Sequence, residues 1–363
     1  MVETIWDIVA GSGAMPVLGG LGIGAAFGAI VVSTNFCTMG AISDIVISSD
    51  YRRFRSWVLA AAVALVGAQS LAAIGAVDLT KSVHLTSGVN GFGSIFGGLI
   101  FGFGMVFAGG CPSRNIARAG AGDVRALVSL VVVGLAAYAT IGGLLAPARI
   151  AAANATMIAL PVGVTPALGD LAAQITGSAA SPWTAALTAA IASAALIYCF
   201  GNAAFRASPR HVLAGAGIGL CAVAGWAVTG LSFDEFARTP SEIASLSFVR
   251  PVGDAVEYLT RYTAIAVPDF GVVSVGGALI GAMAAAIAMG RFRVRGFAGD
   301  ADTIRNLGGA LLMGVGGVLA LGCSIGQGVA GISTLALGSF LAFAAIAAGA
   351  VLGVKYLERA SAG

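Results

Sequence analysis

The hydrophobic positions of this chain form long continuous runs instead of the one-sided stripes of water-soluble helices. Nine runs approach the length of about 20 residues that a helix needs to cross a bilayer. Glycines interrupt several runs, which is typical of the re-entrant or broken helices of transporters. We therefore predict an all-α polytopic membrane protein with about nine transmembrane helices. The predicted segments are residues 16–33, 56–77, 91–108, 124–146, 183–200, 212–230, 271–290, 306–321 and 332–354.

The basic residues between these segments alternate from one loop to the next. Every second loop, together with the C-terminus, holds 14 of the 19 lysines and arginines, and the other loops hold 5. Cytoplasmic loops of membrane proteins carry the excess of basic residues. The pattern predicts a cytoplasmic C-terminus and an N-terminus outside. A cleavable signal peptide begins with basic residues, but residues 1–15 contain none. We therefore expect the first segment to be retained.

The composition agrees with a membrane location. Hydrophobic residues make up 58% of the chain and charged residues 10%, with a mean hydropathy of +0.96, whereas soluble domains contain about 25% charged residues. The 54 glycines are about twice the usual share, and in membranes glycine allows helices to pack closely. No basic run is long enough to indicate a nucleic-acid partner. Membrane lipid is the expected surrounding.

The most informative stretch is Gly-Gly-Cys-Pro-Ser-Arg-Asn at residues 109–115, which ends an apolar segment. Proline fits the first turn of a helix, so Cys111 is predicted to stand at a helix start. Free N–H groups and the positive end of the helix dipole favour an anion there. Ser113 and Arg114 follow, and Arg114 has two open roles: to steer an anion or to anchor the helix. The alternative for Cys111 is an inert, buried thiol.

Two further cysteines have similar surroundings. Cys37 and Cys323 each end an apolar segment and precede a small or polar residue, as Cys111 does, and Gln327 lies near Cys323. A neutral thiol is a weak hydrogen-bond donor, so it can hold an anion without trapping it. We interpret these three thiols as lining a transport path. Cys199 and Cys221 lie within apolar runs and are interpreted as packing residues.

The remaining candidate chemistry is sparse. The chain has two histidines and no Cys-x-x-Cys pair, so we expect neither a metal site nor a cofactor. The odd number of scattered cysteines also argues against a disulfide framework.

The chain carries signs of an internal duplication. A Gly-Gly pair precedes Cys111 by 13 residues and Cys323 by 14 residues. The two segments concerned are the third and the eighth, and an odd separation gives them opposite orientations. We predict one transport domain over residues 1–363, built from inverted halves at about residues 16–147 and 212–354. Inverted repeats place the substrate site near the membrane midplane, between broken helices.

The three cysteine contexts and the glycine-rich spans resemble the YeeE/YedE sulfur-transport family of bacterial inner-membrane permeases. The resemblance covers about residues 19–353, and Gly-Gly-Cys-Pro-Ser-Arg is its most specific part. It implies uptake of thiosulfate, an hourglass-like fold, and a relay of the anion by S–H hydrogen bonds from Cys37, Cys111 and Cys323. It also implies a small cytoplasmic sulfur-carrier protein as a partner for some members.

Other functions stay open from the sequence. One is a permease for another sulfur or selenium compound. A second is a membrane sulfurtransferase that forms a cysteine persulfide, which needs a thiolate activated by a base or a cation. Among the five cysteines, Cys111 is the one with a cation close by in sequence, and no Cys/His pair is evident. A third, a structural or regulatory subunit, leaves the cysteines unexplained. We therefore expect a transporter and no enzyme.

The topology can be tested by a reporter fused after residue 363. The basic residues predict that the C-terminus lies in the cytoplasm, so a reporter that is active only in the cytoplasm should be active there. A fusion that is active only in the periplasm would reverse the predicted orientation.

Overall fold

The computed structural model describes residues 14–86, 88–236, 242–263 and 267–362. Most of the predicted external N-terminus, residues 1–13, therefore lies outside the described residues. Within them the chain is predominantly helical. The α-helices are α1 (Ala14–Thr34), α2 (Thr38–Ser48), α3 (Arg52–Ala73), α4 (Val83–Thr86), α5 (Gly98–Phe107), α6 (Pro112–Gly120), α7 (Val124–Ile141), α8 (Ala146–Thr156), α9 (Leu168–Thr176), α10 (Ala180–Phe200), α11 (Ala203–Arg206), α12 (Pro209–Leu231), α13 (Arg250–Thr260), α14 (Phe270–Ala288), α15 (Asp300–Leu319) and α16 (Leu337–Ala362).

A few short elements complete the described chain. Two π-helical segments, Gly93–Gly97 and Gly326–Gly331, precede α5 and α16 respectively, and a 3₁₀ turn spans Leu79–Lys81. The strands β1 (Val89–Asn90) and β2 (Met157–Ile158) pair antiparallel. π-Helical turns occur often at functional sites.

Eight helical stretches of the described chain are long and apolar enough to cross a membrane. They coincide with eight of the nine predicted segments. The remaining predicted segment, residues 306–321, falls within α15, where Asp300, Asp302 and Arg305 make the first turns polar. The prediction of an all-α polytopic membrane protein with broken helices is confirmed.

The predicted start of the last segment is wrong. The sequence predicts that this segment begins at residue 332, but α16 begins at Leu337. The π-helical segment occupies residues up to Gly331, and Leu335 has a φ of 60°. A left-handed residue interrupts a helix, and hydropathy alone does not detect that interruption.

Glycines bring the long helices into backbone contact. The most extensive helix pair is α1 with α14, followed by α3 with α12 and by α5 with α16 and α15. In the first pair, a Cβ atom on Gly281 would overlap with the carbonyl oxygen of Ala25, and one on Gly28 would overlap with the carbonyl oxygen of Ala278. These glycines therefore form a close-packed face between α1 and α14, in line with small-residue packing in membranes.

Non-helical backbone inside the protein is confined to a few protected places. Between α12 and α13, residues 242–248 have no regular secondary structure. Ser245 donates a hydrogen bond to the carbonyl of Ala222 at 2.7 Å, and Thr229 donates one to the carbonyl of Ala244 at 2.7 Å. Irregular backbone at membrane depth is tolerated when protein covers it. The breaks that carry the cysteines are further places of this kind.

The α1–α14 contact predicts different outcomes for two glycines of the same helix. Gly281→Ala should destabilise the protein by about 1–3 kcal/mol, because the added methyl overlaps backbone. Gly276→Ala is the matched control, because nothing lies within 4 Å of its Cβ position. Thermal unfolding of the detergent-purified variants measures both effects. Equal melting temperatures would contradict the close-packing account.

Candidate functional site

Cys111 stands at the N-cap of α6, in the position predicted for it. Gly109 and Gly110 precede it with φ values of 72° and 152°, which glycine adopts without a Cβ penalty. Cys111 itself is extended, and Pro112 occupies the first turn of α6. The Asn115 N–H donates to the Cys111 carbonyl at 2.9 Å. The two glycines thus turn the chain between α5 and α6 and place the thiol at a helix start.

Cys37 occupies the equivalent place in the break between α1 and α2. Asn35 has a φ of 64°, a left-handed conformation that asparagine tolerates better than most residues. Cys37 is the extended N-cap of α2, and the Gly40 N–H donates to its Sγ at 3.3 Å. The sulfur therefore takes the role that a serine or aspartate oxygen usually takes at an N-cap.

Cys323 repeats this arrangement between α15 and the π-helical segment. Leu321 has a φ of 58° and Gly322 a φ of 159°. The Gly326 N–H donates to the Cys323 Sγ at 3.3 Å, and the Gln327 N–H donates to the Cys323 carbonyl at 2.8 Å. A leucine in the left-handed region is strained, and such strain is concentrated at functional sites.

The structure brings the three thiols together in the protein interior. Cys37, Cys111 and Cys323 are 7%, 1% and 0% exposed and are free thiols. The Cys111 thiol lies close enough to interact electrostatically with both others. Among the described residues, each sulfur bonds to a backbone N–H or a hydroxyl and not to another sulfur. The three thiols are therefore separate groups, and Cys111 lies within electrostatic range of the other two.

Two arginines act on the Cys37 thiol. Arg114 donates a hydrogen bond to the Asn35 side-chain oxygen, and its charge interacts with the Cys37 thiol. Arg53 approaches the same thiol electrostatically while it pairs with Asp44 at 3.3 Å. The bond from Arg114 to Asn35 ties α6 to the break before α2.

Ser113 is the hydrogen-bond partner of the central thiol. Its Oγ lies 3.1 Å from the Cys111 Sγ, and either atom can be the donor. Ser113 is 4% exposed. The thiol can therefore donate to Ser113 at rest and turn towards another acceptor.

Gln327 faces a small polar cavity beside the Cys323 loop. Its Nε2 donates to the Ala320 carbonyl at 2.6 Å, which fixes the orientation of the amide. Its Oε1 is buried and lacks a hydrogen-bond partner among the described residues, as does the Oγ of Ser339. Both side chains line a cavity of about 20 Å³ together with Ser94. A cavity of this size holds about one water molecule.

The base of α6 is fixed by a network that also positions Cys111. Arg118 donates to the Gly109 carbonyl at 2.9 Å and pairs with Asp123 at 2.7 Å. Asp123 also pairs with Arg125 at 3.1 Å. Burial would raise the pKa of Asp123, but the hydrogen bonds from Arg125 and Arg118 hold it below its usual range. This carboxylate therefore stays charged. Through Arg118 it links the residues that follow α6 to Gly109, which precedes α6.

Sequence reasoning missed three side chains that join the two cysteine loops. Trp57 donates to the Thr38 hydroxyl at 2.9 Å, and the Thr38 hydroxyl donates to the Ser324 Oγ at 3.0 Å. All three residues are at most 2% exposed. Thr38 and Ser324 each follow a site cysteine directly in the sequence, and this shared position is the signal that could have found them.

The two remaining cysteines lie apart from this arrangement. Cys199 packs beside Phe205 and donates to the Arg55 carbonyl at 3.2 Å. Cys221 is 8% exposed and packs within α12. Neither begins a helix, so their interpretation as packing residues agrees with their positions.

Comparison with known proteins places the chain in a family. A family model described as sulphur transport matches residues 33–352. The thiosulfate transporter TsuA of Spirochaeta thermophila is 27% identical over 337 residues, which cover 89% of this chain and 93% of the relative. The thiosulfate transporter TsuA of Escherichia coli is 26% identical over 332 residues, which cover 86% of each chain. Since the family model matches most of its length, the chain belongs to the YeeE/YedE sulphur transport family.

Proposed function

We propose that this protein is a bacterial inner-membrane permease that takes up thiosulfate through a path lined by Cys37, Cys111 and Cys323. The observation that carries the proposal is the grouping of three buried thiols, each at a break in a helix, around Cys111. Relatives named as thiosulfate transporters match nearly the whole chain and support the same substrate.

The chemistry of the breaks suits a sulfur oxyanion. Helix starts present N–H groups and positive dipole ends, which favour an anion. A neutral thiol adds a weak donor and a polarisable atom, so the anion is held without being trapped. We propose that thiosulfate passes from one thiol to the next by S–H hydrogen bonds, with Cys111 as the central member. Arg114 and Arg53 add positive charge on the Cys37 side.

The orientation follows the basic residues, with the N-terminus outside and the C-terminus in the cytoplasm. In this orientation Cys323 serves the outer half of the path, and Cys37 and Cys111 serve the inner half. A small cytoplasmic sulfur-carrier protein that receives the product is a further part of the proposal.

We also propose that the two halves of the domain are inverted repeats. The order of elements on either side of α10 supports this. In the proposed correspondence, the first half contributes α1, α2, α3, α5, α6 and α7, and their counterparts in the second half are, in the same order, α12, α13, α14, α15, the π-helical segment Gly326–Gly331 and α16. The pair α1–α14 is then equivalent to the pair α12–α3, and the pair α5–α16 is equivalent to the pair α15–α7. These four pairs are among the most extensive contacts of the fold.

The site cysteine and a packing cysteine should respond differently to truncation. Cys111→Ala should lower thiosulfate uptake by roughly ten- to hundredfold, which is the value of a hydrogen bond to a charged group. Cys199→Ala should leave uptake nearly intact, since its bond is to the Arg55 carbonyl. Uptake of radiolabelled thiosulfate by proteoliposomes measures both. Equal losses of uptake in the two variants would mean that Cys111 acts only as a packing residue.

Replacement by serine tests whether sulfur itself is needed. Serine keeps a donor, but its hydroxyl is less polarisable and bonds more strongly to backbone and water. We expect Cys111→Ser to fail almost as badly as Cys111→Ala in the same uptake assay. Milder losses are expected for serine at Cys37 and Cys323. Uptake at the normal rate by Cys111→Ser would reject the thiol relay and leave the helix start and Arg114 as the anion site.

A further inference from the structure

A chain of three hydrogen-bonding side chains crosses between the Cys37 and Cys323 loops. It begins at the Trp57 indole, continues through the Thr38 hydroxyl and ends at the Ser324 hydroxyl, with distances of 2.9 Å and 3.0 Å. Trp57 is held in place by stacking on Phe343, with ring centroids 4.2 Å apart and an interplanar angle of 9°. The start of the chain is therefore rigid.

The chain has a fixed direction. An indole N–H can only donate, so Thr38 must accept from Trp57. Thr38 uses its single hydrogen on the Ser324 Oγ. Ser324 accepts this bond and retains its own hydrogen, for which the contacts of the described residues include no acceptor. Ser324 is 0% exposed, and a buried hydroxyl normally donates to some partner. The chain therefore ends in an oriented donor that lies next to Cys323.

A second buried serine shows the contrasting case. Ser333 also accepts from an indole, that of Trp226, at 2.9 Å. Unlike Ser324, it donates its own hydrogen to the Ala330 carbonyl at 2.6 Å. Both serines are 0% exposed. Ser333 thus donates its hydrogen within the protein, whereas the hydrogen of Ser324 has no acceptor among the described residues.

We propose that the Ser324 hydroxyl is a substrate-binding group that donates to an oxygen of the transported anion, and that Thr38 and Trp57 are positioning residues for it. The inference rests on the proposed function, since it names a further group at the same site. An anion with sulfonate-type oxygens and a terminal sulfur suits a hydroxyl donor next to a thiol. The oxygens bind the hard donor of Ser324, and the soft sulfur faces Cys323.

The test compares variants of the three hydrogen-bonded side chains with a matched control elsewhere in the protein. Ser324→Ala removes the donor, and we expect the thiosulfate Kd and the uptake KM to rise about tenfold or more, as for loss of a hydrogen bond to a charged group. Thr38→Val removes the orienting bond and should give a smaller rise in both. Thr38→Ser keeps the hydroxyl and should restore nearly normal values. Ser333→Ala removes an indole-bonded hydroxyl with no ligand role, so it should lower the melting temperature but leave Kd and KM unchanged.

The measurements are calorimetric titration of the detergent-purified protein with sodium thiosulfate and uptake of radiolabelled thiosulfate into proteoliposomes. Unchanged Kd and KM in Ser324→Ala, or a rise equal to that in Ser333→Ala, would overturn the role of Ser324. If Ser324→Ala does not fold, unchanged Kd and KM in Thr38→Val would overturn it. Binding that depends on Ser324 without uptake by the unmodified protein would refute the proposed transport and support this inference. Neither binding nor uptake by the unmodified protein would refute both.

Discussion

An unpaired backbone N–H or carbonyl is costly inside a bilayer, because no water is present to replace the missing partner. This constraint governs the three breaks that carry Cys37, Cys111 and Cys323. In the breaks at Cys37 and Cys323, the thiol itself accepts an N–H from the first turn of the following helix. At these two breaks the cysteine is the hydrogen-bond partner of a backbone N–H and also a member of the proposed site. Helix starts present N–H groups without intrahelical partners, so the geometry that permits a break also favours an anion.

The breaks need a rigid surrounding, and close helix packing supplies it. Lipid is as apolar as the side chains, so helices in a membrane gain little from hydrophobic burial and depend on close contact. Gly24, Gly28, Gly277 and Gly281 bring α1 and α14 together at backbone distance. Because α1 leads directly into the break before Cys37, the position of this thiol depends on that contact.

The sequence allowed the fold class, eight of the nine segments and the helix start at Cys111 to be predicted, because hydropathy and a Gly-Gly-Cys-Pro pattern are local signals. It did not reveal the left-handed residues Leu321 and Leu335, because leucine gives no turn signal. The bond between Thr38 and Ser324 joins residues 286 positions apart, and no local pattern encodes such a pairing. The role of Arg114 was open for the same reason, since its partner Asn35 lies in another break.

The two halves of the proposed repeat differ around the cysteines. Cys37 is the N-cap of α2, whereas α13, its counterpart in the proposed repeat, has Val249 at the N-cap, a residue without a hydrogen-bonding side chain. Charge differs as well, because Arg114 and Arg53 both act on the Cys37 thiol. An anion on a symmetric path would have equal affinity for both ends. On the proposed path, the thiol and the positive charge together favour an anion more at Cys37 than at the opposite end. We therefore expect the anion to move inward from Cys323 through Cys111. Its release at Cys37 would then depend on Asn35 and Asp44, which already bind Arg114 and Arg53.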